Sequence, residues 1–202
     1  MQTETDGVEL VGDQTVENIA RAAVFAALTG AMAYVSFQNP VSPAPVTLQV
    51  LGVFLAGLYL GPVWGGASMV LYLIAGGVGA PVFAGGGSGL GTFVAPTGGY
   101  LLSYPFAAAL TGLVAHGTTE LADPRDVGVA KLVAAMVAAT VVIYAAGTVG
   151  FAIVQRPSLA AAFAPSALVD AFLVAGAAFI PAEAFKIAAA IGITRSDQLN
   201  AA

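Results

Sequence analysis

From Ala22 to Thr119 the chain contains no aspartate, glutamate, lysine or arginine. Nothing else in the sequence restricts the fold as strongly. Water cannot host so long an uncharged apolar surface, and a chain of 202 residues is too small to bury all of it within itself. Over the whole chain 58% of residues are hydrophobic and 8% are charged, against about 25% charged in an ordinary soluble domain. In lipid every backbone polar group must find its partner internally, which helices do within one segment. The sequence therefore predicts an all-α integral membrane protein embedded in the lipid bilayer.

A spanning helix needs about 20 mostly apolar residues. Breaks fall at Asn39-Pro40, Gly61-Pro62, the glycine-rich region before Gly98, "HGTTELADPRDVG" and "QRPSLAAAFAPS". They leave expected spans over 16–37, 46–61, 62–79, 98–116, 129–154 and 182–197, with a short outer lid helix over 167–180 that Pro181 ends or kinks. The expectation is a six-transmembrane-helix bundle, one membrane domain over 16–197, with long outer loops between helices 1 and 2 and between helices 3 and 4. Residues 1–15, with Glu4, Asp6, Glu9 and Asp13, read as an acidic, solvated and disordered tail. Basic residues favour the cytoplasmic side. Six spans with a cytoplasmic N-terminus put Arg21, Arg125, Lys131 and Arg195 inside and Arg156 outside, in the cell membrane.

Several chemistries are excluded. The chain has no cysteine, so it has no disulfide, thiolate nucleophile or cysteine metal site. A single histidine, His116, forms no histidine metal cluster. No metal or cofactor is expected. A net charge of −5 argues against nucleic acid.

Between Gly76 and Gly99 lie ten of the 25 glycines, five of them in "AGGGSGLG". This stretch has neither G-x-x-x-x-G-K-[ST] nor G-x-G-x-x-G, so it does not read as a phosphate cradle. It is either a flexible loop or a place where backbone meets a small ligand directly, and its length favours function. Lys186 is the most informative single residue. A charge at mid-membrane depth costs roughly 2.5–3.5 kcal/mol on insertion scales, so it marks a site more often than not. Glu183, three residues earlier, shares its helix face. The pair is either a structural ion pair at a helix start or part of a polar ligand site. Thr47 and Gln49 open the second helix and are either helix-end polar groups or ligand contacts. Ala23, Ala27 and Ala31 at spacing four, with Ala22 and Ala26 beside them, mark close helix packing, either within the chain or against another membrane protein. His116 reads as a solvated helix end.

Three segments together, "PVTLQVLGVFLAGLYLGPVWGG", "GAPVFAGGGSGLGTFVAPTGGYLLSYP" and "GAAFIPAEAFK", resemble the BioY family. That family is the biotin-specific substrate-binding (S) component of energy-coupling-factor (ECF) vitamin transporters. The match runs from about Ala22 to Ala190. The resemblance implies a ligand site near the outer face with Thr47, Gln49, Phe83, Gly98, Gly99 and Tyr100 in or beside it, together with Glu183 and Lys186. The family's usual P-G-D-x-x-K stands here as Pro181-Ala182-Glu183-Ala184-Phe185-Lys186, so the lysine is kept while Gly becomes Ala and Asp becomes Glu. The family's alanine motif maps onto Ala23 and Ala27 and implies docking on a coupling membrane subunit. Biotin uptake driven by that subunit and two ATPase subunits is implied, not an enzyme. The alternatives are an S component for another vitamin, or a small membrane enzyme acting on lipid. The enzyme would need clustered carboxylates, and Glu120, Asp123 and Asp126 read instead as a solvated turn.

Overall fold

The computed structural model describes residues 12–39, 42, 44–118 and 121–196, and it is mostly helical. The acidic residues Glu4, Asp6 and Glu9 lie outside the described residues, as does Glu120. Helix α1 spans Asp13–Met32. A two-residue antiparallel ladder follows, with β1 (Ser36–Phe37) paired to β2 (Val46–Thr47). The remaining helices are α2 (Gln49–Gly77), α3 (Gly98–His116), α4 (Val129–Gln155), α5 (Leu159–Ala162), α6 (Pro165–Ala175) and α7 (Ile180–Arg195).

Four helical stretches among the described residues are long and apolar enough to cross a membrane: Gln49–Gly77, Gly98–His116, Val129–Gln155 and Pro165–Arg195. The chain is thus a multi-pass membrane protein. The six expected spans do not appear as six such stretches, for two physical reasons. Glu17 and Arg21, an exposed ion pair at 2.5 Å, sit in the first half of α1 and lower its apolarity. In α2 the chain breaks at Gly61, whose φ of 72° and ψ of −172° are not helical. Only glycine adopts that conformation without strain, and Pro62 then opens the second arm with its preset φ.

The break is a reversal of direction. A Cβ at Gly65 would lie 2.9 Å from the Ala56 carbonyl oxygen and 3.0 Å from the Gly57 Cα, whereas residues eight or nine apart in a straight helix stand about 12 Å or more from each other. At the far end of the arms the Gln49 side chain bonds Tyr72. The first arm is buried on nearly every side. It lies at the centre of the bundle, as an all-round apolar helix must.

α1 packs against both arms of α2, and the Ser68 hydroxyl donates to the Ala22 carbonyl at 2.8 Å. The buried face of α1 is Ala22, Ala26, Thr29 and Ala33, while Ala23, Ala27 and Ala31 are exposed beside it. On its other side α2 meets α3, and α3 meets α4. The tip of the α2 hairpin holds an unusual bond. The Leu58 carbonyl would normally accept from the N–H of residue 62, but that residue is proline and has none. His116 Nε2 lies 2.7 Å from this oxygen. A carbonyl only accepts, so Nε2 carries the proton and donates. His116 is therefore half-buried and engaged, not a solvated helix end.

Other boundaries also move. The first helix stops at Met32, ahead of the expected Phe37, because the chain turns into the β1–β2 ladder. The expected tail of 1–15 overlaps α1, which starts at Asp13. The short helix expected over 167–180 is met by α6, which starts at Pro165 and ends at Ala175. A 3₁₀ turn, Ala177–Phe179, joins it to α7. Pro181 lies in the first turn of α7, where its missing N–H costs no helical bond.

Candidate functional site

Two irregular connections, the described residues of 33–48 and residues 78–97, cover one end of the bundle. Tyr34 in the first donates its hydroxyl to the Pro81 carbonyl in the second at 2.5 Å. Beneath them lies a cavity of about 90 Å³ that opens at its mouth. Thr47, Gln49, Phe83, Tyr100, Glu183 and Lys186 all line it. Residues far apart in sequence thus meet at one place.

Thr47 and Gln49 enter from the end of β2 and the first turn of α2. Both are buried. The Thr47 hydroxyl donates to Gln49 Oε1 at 2.7 Å, and Gln49 Nε2 donates to the Tyr72 hydroxyl at 2.5 Å. Tyr72 in turn donates to the Val82 carbonyl at 3.0 Å. The chain of bonds fixes the amide with its oxygen toward Thr47 and its nitrogen toward Tyr72. It also ties the ladder, both arms of α2 and the glycine-rich connection together.

Phe83 is 2% exposed and is held edge-on between Tyr72 and Phe93, with ring centroids 5.5 and 5.6 Å away. The backbone closes on itself directly after it: the Phe83 N–H donates to the Gly87 carbonyl and the Gly86 N–H to the Phe83 carbonyl. Gly85 and Gly86 make this turn with φ of 65° and 80°. Here the glycines serve a tight loop that delivers an aromatic ring to the cavity.

Gly98 and Gly99 do not line the cavity, unlike Tyr100 next to them. Gly98 is the first residue of α3, tight against the Phe93 backbone. A Cβ at Gly99 would collide with the Ala146 carbonyl of α4, and one at Gly150 would come within 2.8 Å of the Gly99 Cα. These glycines bring α3 and α4 backbones together and so set the position of Tyr100. Its hydroxyl donates to the Ala175 carbonyl at the end of α6.

Glu183 and Lys186 come from the first two turns of α7 and are 4% and 3% exposed. Lys186 Nζ donates to Glu183 Oε1 at 2.5 Å. The second carboxylate oxygen, Oε2, is buried without a partner. An ammonium has three N–H groups, and this bond uses one. The site therefore offers a buried acceptor and buried donors side by side, walled by Ile143, Phe179 and Tyr104. Such a place suits a neutral, compact ligand with both N–H and C=O groups.

Part of the aromatic lining was hidden in the sequence. Tyr104 and Tyr144 also line the cavity, yet they stand in apolar helices with no flanking polar pattern. Only the bulk of two tyrosines in glycine- and alanine-rich spans distinguished them. At the opposite end of the molecule Asp123 is held by Arg125 through Nε at 3.0 Å and a terminal nitrogen at 2.5 Å. Those hydrogen bonds lower its carboxyl to about 2. Arg195 donates to the carbonyls of Arg125 and Val127 nearby. No group of three histidine, cysteine or acidic residues able to hold a metal occurs among the described residues.

A membrane helical bundle with a cavity opening beneath two irregular connections defines a class: a multi-pass integral membrane protein with a pocket at one end. Comparison with known proteins narrows that class. The chain belongs to the BioY family, whose model matches residues 2–200. It is 38% identical over 173 residues to the biotin transporter BioY of Rhodobacter capsulatus, covering 84% of this chain and 87% of that one. It is 33% identical to the biotin transporter BioY of Rhizobium etli, covering 88% and 92%. Among solved structures it is similar to the S-component for biotin from an ECF-type ABC transporter, with a TM-score of 0.71 and 23% identity over 92% of this chain and 93% of that one. At that identity the likeness speaks for the fold.

Proposed function

We propose that this chain is the biotin-capturing membrane subunit of an ECF-type uptake transporter. Biotin enters the cavity at the outer face. The observation that carries the reading is the buried Glu183–Lys186 pair with one carboxylate oxygen left open inside an aromatic-walled cavity. Biotin's ureido ring has two N–H donors and one C=O acceptor. Glu183 Oε2 accepts from a ureido N–H, while Lys186, and Gln49 with its second amide N–H, supply donors. Phe83 and Tyr100 pack against the thioether ring and the methylene tail, and Thr47 holds Gln49. The relatives are named as biotin transporters, and this agrees.

The same reading gives six passes: α1, the two arms of α2, α3, α4 and the α6–α7 stretch. The N-terminus is cytoplasmic, so Arg21, Arg125, Lys131 and Arg195 lie inside. No G-x-x-x-x-G-K-[ST] motif is present, so ATP is hydrolysed by partner subunits. The exposed stripe of Ala23 and Ala27 docks on the coupling membrane subunit, with two ATPase subunits behind it.

The test is calorimetric titration of the detergent-purified chain with biotin, with a biotin analogue lacking the ureido carbonyl, and with thiamine and riboflavin. Tight binding of biotin alone is expected. Equal affinity for the analogue would remove the ureido site, and binding of either other vitamin in its place would reassign the substrate.

A further inference from the structure

Four buried side-chain atoms among the described residues have no hydrogen-bond partner: His116 Nδ1, the Tyr144 hydroxyl, Thr148 Oγ1 and Glu183 Oε2. Two of these residues, Tyr144 and Glu183, line the same cavity. Tyr144 is 8% exposed and Glu183 is 4% exposed. The hydroxyl lies within reach of the Glu183 carboxylate, but neither it nor Glu183 Oε2 makes a hydrogen bond of good geometry. A buried hydroxyl or carboxylate oxygen without a partner is costly to keep. Two such vacancies on residues lining one cavity are complementary in kind, since one group can donate and the other can only accept.

We propose that Tyr144 is a specificity-determining residue of the ligand site, its hydroxyl donating to the ligand's carbonyl oxygen while Glu183 Oε2 accepts from the adjacent N–H. This rests on the reading of the ligand as biotin. A five-membered cyclic urea holds each N–H on the same edge as the C=O, so the ligand shows a donor and an acceptor side by side. The matching protein surface is an acceptor beside a donor. Glu183 alone offers the acceptor, and Tyr144 completes the edge from a different helix, α4. The carbonyl oxygen has a second lone pair, which remains for Lys186. The Tyr144 ring is fixed independently of the hydroxyl. It stands edge-on to Tyr100 with centroids 6.4 Å apart. The hydroxyl is thus held in place without a bond of its own.

Tyr144→Phe removes the donor and keeps the ring. Its melting temperature in detergent is expected to match or exceed that of the unsubstituted chain, because an unpartnered buried hydroxyl is lost. A clear fall in melting temperature without ligand would mean that the hydroxyl serves the fold, and would overturn the proposal. Affinities of both proteins are then measured for biotin and for 2-thiobiotin, in which sulfur, a weak acceptor, replaces the ureido oxygen. Biotin affinity is expected to fall about tenfold in Tyr144→Phe, while 2-thiobiotin affinity changes by less than about threefold. Equal losses for both ligands, or no loss for biotin, would overturn the assignment of Tyr144. Failure of the unsubstituted chain to bind biotin at all would instead refute the biotin reading itself.

Discussion

Two buried polar clusters face the same cavity, and they differ in how far they are satisfied. At the N-terminal one, Thr47, Gln49 and Tyr72 form a closed chain of bonds that ends on a backbone carbonyl. At the C-terminal one, Glu183 and Lys186 bond each other, but Glu183 Oε2 and the neighbouring Tyr144 hydroxyl make no hydrogen bond of good geometry. A satisfied network rigidifies and specifies a structure, whereas an unsatisfied one is costly to keep. The first cluster therefore reads chiefly as scaffold, with one Gln49 amide N–H to spare, and the second as the part held open for a ligand.

The largest effect should come from splitting the charged pair. Glu183→Ala leaves the Lys186 ammonium buried without a counter-charge, which costs about 3–5 kcal/mol of stability. Biotin binding should be lost as well. Lys186→Met should weaken biotin binding by about 1–3 kcal/mol. The double variant Glu183→Gln with Lys186→Met should regain stability and still fail to bind. Thermal unfolding in detergent and titration with biotin check all three. A double variant that binds normally would make this cluster scaffold too, and the contrast between the two would disappear.

A smaller effect is expected where α3 and α4 cross. Gly99→Ala drives a methyl into the Ala146 carbonyl, and overpacking of this kind costs about 1–3 kcal/mol. Its influence on affinity should be indirect, through Tyr100. Gly91→Ala, which has nothing within 4 Å, should leave both melting temperature and affinity unchanged. A larger effect at Gly91 than at Gly99 would mean that ligand meets backbone in the glycine-rich connection.

The smallest measurable loss is expected from Tyr72→Phe. It removes two bonds from the satisfied cluster, at a net cost of about 1 kcal/mol. Melting temperature should move more than biotin affinity. The reverse order would show that Gln49 depends on Tyr72 mainly to meet ligand, and would bring the two clusters closer in kind.

The charged pair was legible in the sequence because a lysine in an apolar helix is costly and so conspicuous. The hairpin at Gly61-Pro62 was legible because that dipeptide stops one helix and starts another. The roles of Gly98 and Gly99 were not, since a glycine that admits a ligand and one that admits a second helix look the same until the neighbour is known. Tyr144 was equally silent. Its ring is ordinary in a membrane helix, and only the placement of α7 beside α4 brings Glu183 to its hydroxyl. The α1 boundary moved because a two-residue ladder carries too little pattern to announce itself.

The bond from His116 to Leu58 bears on how the bundle comes together. The hairpin of α2 is the most buried element of the molecule, yet it is not self-sufficient. Pro62 supplies no N–H, and the donor that serves the Leu58 carbonyl lies 58 residues later, at the end of α3. During synthesis the hairpin leaves the ribosome before that donor exists. Its tip stays dependent on water until α3 arrives. α2 and α3 consequently behave as one cooperative unit, and the centre of the bundle becomes complete only when α3 closes over it.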